Sequence, residues 1–153
     1  LLESRDFTEE DFARSHPAGS LGRRLLLRIE DLMHGGDKLP KVAQQASLST
    51  ALAEMSEKGL GMTTVVDENE QICGIFTDGD LRRLLDHGQV DIQQLTIAEV
   101  MKRQFTTSSP DQLAGEALQM MDQKRINALP IVDDKNCLLG VINMHDLLRA
   151  GVV

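Results

Sequence analysis

Apolar residues recur along this chain in two rhythms, and each rhythm is used twice. Between Leu48 and Lys58 they fall at Leu48, Leu52 and Met55; between Leu113 and Lys124 they fall at Leu113, Ala117, Met120 and Met121. That spacing keeps them on one face of a 3.6-residue turn and predicts two amphipathic helices. Each is followed by a short apolar run, Thr63–Val66 or Ala128–Val132, then a polar turn ("DENEQ" or "DDKN") and a second run, Ile72–Phe76 or Leu138–Ile142. Runs of this length bounded by turn residues predict pairs of strands. A closing helix is expected from near Asp78 and from near Met144, and a short strand around Pro40–Ala43 and Phe105–Thr107 ahead of each first helix. The predicted order is β-α-β-β-α, twice over.

The two passes are copies of one unit. A shift of 66 residues lays Gly74 on Gly140, Asp80 on Asp146, Leu81 on Leu147 and Arg83 on Arg149; it also lays Val66-Asp67 on Val132-Asp133, Met55 on Met121 and Lys58 on Lys124. Upstream, "DLMHGG" matches "EVMKRQ" with a shift of 68, so the first copy carries two extra loop residues. A constant offset through several elements is the mark of an internal repeat. One unit of about 50–55 residues buries too little surface to stand comfortably alone. The two are therefore expected to pack sheet against sheet with pseudo-two-fold symmetry, leaving two related clefts, with "DHGQVDIQQLT" as the linker. The fold class is mixed α and β.

Composition narrows what such a repeat could do. The chain has 153 residues, 41% of them apolar, with four Phe and neither Trp nor Tyr, so its core must be aliphatic. A net charge of −8 and the lack of stacking aromatics argue against nucleic acid as a partner. The one basic cluster, Arg23-Arg24 with Arg28, is short and surrounded by acids, and reads as a solvated or interface face. Cys73 and Cys137 belong to no CxxC or Cys/His cluster, so no metal site is expected, and both would stay reduced in a cytoplasmic protein. No long apolar run or leader pattern suggests a membrane. The start at Leu1, without methionine, is that expected of a piece cut from a longer chain.

Candidate chemistry sits at the corner "GIFTDGDLRRLL", where a strand meets a helix. Thr77 and Asp80 have the spacing of a capping box, and Asn143 and Asp146 repeat it. The same geometry offers free N–H groups and a positive dipole end to a phosphate or carboxylate, with Thr77 as a hydroxyl donor, Asp80 as an acceptor for sugar hydroxyls and Arg82 as a nearby charge. Spacing alone leaves both readings open, and His145 is a further polar neighbour in the second copy.

The repeated unit, with Gly-x-x-[Thr/Asn]-x-x-Asp at its end, resembles the cystathionine-β-synthase-type (CBS) domain pair over about residues 31–153. The resemblance implies a ligand cleft between the copies, in which Thr77 faces a phosphate and Asp80 and Asp146 face ribose hydroxyls. Asn143 departs from the usual Thr or Ser, which weakens the match to an ordinary adenylate site there. "SHPAGSLGRRLL", "DLMHGGDKLP" and the terminal "MHDLLRAGVV" are similar to the C-terminal half of the bacterial D-arabinose 5-phosphate isomerase family, which joins a sugar isomerase (SIS) domain to a CBS pair. That resemblance implies residues 1–30 as the tail of the SIS domain and linker, 31–88 as the first CBS repeat and 89–153 as the second, with Val153 as a natural C-terminus.

It further implies a parent enzyme, a cytoplasmic homo-oligomer, that interconverts ribulose 5-phosphate and arabinose 5-phosphate for Kdo in lipopolysaccharide or capsule synthesis. His16 of "SHP" would be its acid/base group, since an imidazole titrating near neutrality suits ring opening or proton movement through an enediol. The upstream partners of that site are missing here, so this chain alone is expected to be inactive and to need no cofactor. The expected ligand of the CBS cleft is a nucleotide or sugar nucleotide, an adenylate or CMP-Kdo; a carboxylate-bearing ligand would suit the arginines and Asn143. The alternative expectation is a structural oligomerisation module with empty clefts.

Overall fold

The structure, a computed structural model, describes residues 26–152. His16 and the cluster at Arg23 and Arg24 lie outside the described residues. A one-turn helix α1 (Ile29–Leu32) and a 3-10 turn (Gly36–Lys38) lead into β1 (Lys41–Ala43), α2 (Leu48–Lys58), β2 (Met62–Val66), β3 (Ile72–Thr77) and α3 (Asp78–Asp86). The second copy runs through α4 (Ile97–Val100), α5 (Ala114–Lys124), β4 (Ala128–Val132), β5 (Leu138–Asn143) and α6 (Met144–Arg149).

Local chemistry explains the boundaries. The Ser47 side chain accepts a hydrogen bond from the Thr50 N–H at 3.1 Å to open α2, and Gly59, at φ 70°, closes it in the left-handed conformation. Leu48, Ala51 and Met55 are the buried face of α2, and Ala114, Ala117 and Met121 that of α5. β2 pairs antiparallel with β3, and β4 with β5 in the equivalent register, so Met62 opposes Thr77 and Ala128 opposes Asn143. Even the register irregularities correspond, at Val65/Val66 and Ile131/Val132.

The copies differ at their outer strands. β1 forms a parallel ladder with β2, in which the Thr64 N–H donates to Pro40 O at 3.1 Å. The strand expected at Phe105–Thr107 is absent, reduced to a single bridge between Ser108 and Ile131. The residue equivalent to Thr64 is Pro130, which has no N–H to donate, so this ladder loses a bond where it would have lengthened.

The sheets face each other through Leu39, Met62, Ile72, Ile75 and Val141, backed by Phe105, Ala128 and Leu138. The pseudo-two-fold passes where Gln71 bridges its own counterpart Cys137: the Ile72 N–H donates to Asn136 O, and the Leu138 N–H donates to Glu70 O.

The packed units do not follow the sequence copies. Ile29 at the head of the first copy is fully buried among Ala114, Met121, Leu129 and Leu147 of the second. Ile97 and Met101, at the head of the second copy, are buried with Leu48, Val65 and Phe76 of the first. Matching backbone bonds secure the exchange. The Ile29 N–H donates to Gln112 O and the Ala114 N–H to Leu27 O, as the Ile97 N–H donates to Ala46 O and the Leu48 N–H to Leu95 O. Beyond each short helix the chain lies against the other copy's strand, with His34 paired to Val141 and Lys102 to Ile75.

That close approach accounts for the glycines that the repeat brings into line. A Cβ on Gly140 would lie 2.8 Å from His34 O, and one on Gly74 would lie 3.0 Å from Lys102 O and closer still to the Met101 side chain. Gly140→Ala is expected to destabilise the fold by about 1–3 kcal/mol, because a backbone carbonyl has to move. Urea denaturation checks it, and an unchanged midpoint would mean that the segment is not held there.

Candidate functional site

Each copy turns from strand to helix in the same way. At the first corner the Asp80 carboxylate accepts the Thr77 N–H at 2.9 Å and the Thr77 hydroxyl at 2.9 Å through one oxygen, while the Asp80 N–H donates back to Thr77 Oγ1 at 3.2 Å. The capping box anticipated from the spacing is therefore formed. Asp80 Oδ1 accepts Arg83 at 2.6 Å and lies 3.3 Å from the ammonium of Lys102. At the second corner the Asp146 carboxylate accepts the Asn143 N–H at 2.8 Å, and Asn143 Oδ1 accepts the Asp146 N–H at 2.9 Å. Asp146 Oδ1 then meets His34 Nε2 at 2.8 Å and Arg149 at 3.4 Å.

His34 and Lys102 thus occupy one pseudo-symmetric role, each carried by the exchanged segment to the carboxylate of the other unit. Neither was singled out from the sequence. The signal was present, because the 68-residue shift of "DLMHGG" onto "EVMKRQ" lays His34 on Lys102. What the shift could not show is that the segment crosses over.

Both corners open onto a cleft of about 760 Å³. Thr77, Asp78, Gly79, Arg83 and Lys102 line one side, and Arg125, Asn127, Asn143, Met144 and His145 line the other, with Leu60, Met62, Ile75 and Ile126 as apolar floor. Of the residues singled out from the sequence, Thr77, Asn143 and His145 line this cleft. Arg82 is outside the lining and Arg83 is within it, since one residue along a helix rotates a side chain by about 100°. Asp80 and Asp146 are buried and do not line the cleft. Their oxygens accept bonds from the caps and from basic side chains, so in this arrangement they hold the corner and its cations.

The electrostatics favour an anion. In a chain of net charge −8, Arg83, Lys102 and Arg125 line the cleft with the carboxylate of Asp78, while the buried Asp80 carboxylate behind them pairs with Arg83 and Lys102. Burial pushes the Asp80 carboxyl up, but the Thr77 N–H, the Arg83 guanidinium, the Thr77 hydroxyl and the Lys102 charge outweigh it and hold the group below its ordinary value. A depressed carboxylate contributes stability that is present above its unfolded value of about 3.9 and is lost as the pH falls through the folded one. The stability gap between the wild type and Asp80→Asn should accordingly stay constant from about pH 7 to pH 5 and narrow below about pH 4. Urea midpoints across that range check it; a gap unchanged at the acid end would contradict the ion-paired carboxylate.

Comparison with known proteins gives concordant results. The family model described as "CBS domain" matches residues 29–87 and 97–153. Arabinose 5-phosphate isomerase KdsD of Pseudomonas aeruginosa is 56% identical over 153 residues, the whole of this chain and 47% of that protein. The protein of the same name from Escherichia coli K12 is 55% identical over the whole chain and 46% of its own length. The chain therefore spans about half the length of the curated relatives it matches. Among solved structures, CBSX2 in complex with AMP superposes with a TM-score of 0.69 at 20% identity, over 82% of this chain and 96% of that one. The CBS domain pair of protein MJ0100, in complex with 5′-methylthioadenosine and S-adenosyl-L-methionine, superposes with a TM-score of 0.71 at 22% identity, over 81% and 94%. At those identities the structural likeness concerns the fold. No helix among the described residues is long and apolar enough to cross a membrane.

Proposed function

The chain belongs to the CBS-domain family, and on that premise we propose that it is the regulatory part of an arabinose 5-phosphate isomerase whose cleft takes a nucleotide or sugar nucleotide. The observation that carries the ligand assignment is the cationic cleft itself, with Arg83, Lys102 and Arg125 gathered around a capped helix start in an otherwise acidic chain. The identity of 56% to an isomerase over the entire chain supports the parent activity. Adenosine ligands in two neighbours of the same fold support the ligand class.

In this reading Thr77, Asn143 and His145 contact the ligand with the three cations, while Asp80 and Asp146 position them. Residues 1–30 are the end of a sugar isomerase domain, and His16 acts only when the rest of that domain is present. The parent is a cytoplasmic homo-oligomer. A ligand shifts a conformational equilibrium only by its difference in affinity for the two states. A cleft lined by both units supplies such a difference, because any change in their relative placement alters its contacts.

Calorimetry of this chain with AMP, ATP and CMP-Kdo tests the proposal. Binding of at least one, together with an effect of the same ligand on turnover by the full-length enzyme, is the expected result. Failure of all three would favour a purely structural oligomerisation module. The chain by itself should turn over no arabinose 5-phosphate, and measurable isomerisation would refute its assignment as the regulatory part alone.

A further inference from the structure

The cleft is nearly symmetric in its backbone and asymmetric in its charges. Arg83 and Lys102 line it, whereas their pseudo-symmetric counterparts Arg149 and His34 do not. The second unit instead contributes Arg125. The counterpart of Arg125 in the first copy is Gly59, and both end the helix before the inner strand in the left-handed conformation, at φ 56°, ψ 45° and φ 70°, ψ 22° respectively. The backbone geometry is common to the two copies, so the residue is what differs. Glycine adopts this conformation freely, and a side chain disfavours it. Space does not demand glycine at position 59, because a Cβ there would meet nothing within 4 Å. Arginine therefore lines the cleft from a position that glycine fills more comfortably. Among the described residues no carboxylate lies within ion-pair distance of Arg125.

Strain retained at a cleft, on a cation with no described partner, suggests a role in binding. We propose that Arg125 is an anion-binding residue: with Arg83 and Lys102 across the cleft, it holds the phosphate or carboxylate of one ligand between the two units. This rests on the reading of the cleft as a nucleotide or sugar-nucleotide site and specifies which group clamps the ligand from the second unit.

The test compares the wild type with Arg125→Gly, Arg125→Asn and Arg125→Lys in the whole chain, by calorimetry with AMP, ATP and CMP-Kdo and by thermal unfolding. Arg125→Gly should raise the melting temperature by about 2–4 °C, because the left-handed cap is relieved. It should also weaken binding about tenfold or more, because a charge-assisted contact is lost. Arg125→Asn, which tolerates the same backbone, should show the same loss of affinity; Arg125→Lys should keep affinity within about threefold of the wild type. Wild-type binding that Arg125→Gly leaves unchanged would overturn this inference and leave the reading of the cleft intact. Absence of binding to all three ligands by the wild type would overturn both. A lower melting temperature for Arg125→Gly would overturn the claim that arginine is retained there against stability.

Discussion

Replacing Ile97 by alanine should destabilise the protein by about 2–5 kcal/mol, and replacing Ile29 by alanine should do the same. Both side chains have no exposed surface. Truncation leaves a cavity that a close-packed interior closes only partly, which is why such substitutions cost more than the transfer of the lost methyl groups alone. Domains of this kind hold only about 5–15 kcal/mol in total, so either change removes a large fraction of the margin.

The exchange of segments makes the prediction specific. Ile97 belongs by sequence to the second copy but packs with Leu48, Val65 and Phe76 of the first; Ile29 belongs to the first and packs with Met121, Leu129 and Leu147 of the second. Each substitution should therefore lower the denaturant midpoint of the whole chain in one transition. Leu85→Ala, at a position 52% exposed, serves as the control and should change stability by no more than about 0.5 kcal/mol. A loss below about 1 kcal/mol for Ile97→Ala would rule out the interlocked arrangement.

Lys102→Ala should weaken ligand binding about ten- to hundredfold, the range expected when a hydrogen bond to a charged group disappears from a partly dehydrated site. Lys102 lines the cleft and reaches the Asp80 carboxylate at 3.3 Å. Its removal leaves the Thr77 and Arg83 bonds to Asp80 in place, so the corner keeps its cap. His34→Ala is the matched comparison. His34 has the equivalent role toward Asp146 but does not line the cleft, and its loss should leave affinity within about twofold of the wild type. Because the Lys102 contribution is electrostatic at a half-open site, it should shrink as salt rises. Calorimetry with the tightest binder among AMP, ATP and CMP-Kdo measures both variants. Equal losses for Lys102→Ala and His34→Ala would contradict the asymmetry of the cleft.

Much of the site was legible from residue spacing alone. Thr77-x-x-Asp80 and Asn143-x-x-Asp146 form the caps that their spacing predicts, because a capping box is local chemistry within four residues. The helix predicted at Leu48–Lys58 and the strand predicted at Ala128–Val132 have those bounds, since apolar periodicity reports directly on the buried face. Which of the adjacent Arg82 and Arg83 lines the cleft depends on how the helix is rotated over it, and that is set by packing. The short strand at Phe105–Thr107 was misread for a different reason: its ladder depends on Pro130, more than twenty residues away.

What the sequence alone determined, then, is what repeats or acts locally: two copies of one unit, their helices and inner strands, the caps, and the likeness to CBS pairs. The tertiary structure decided which copy each leading segment completes. It thereby decided that Lys102 meets Asp80, that His34 meets Asp146, and that Gly74 and Gly140 must lack side chains. Those pairings join residues far apart in the chain, and no periodicity encodes them. They follow from burying Ile29 and Ile97 where an apolar core lacks a wall, and in each case that core belongs to the other copy.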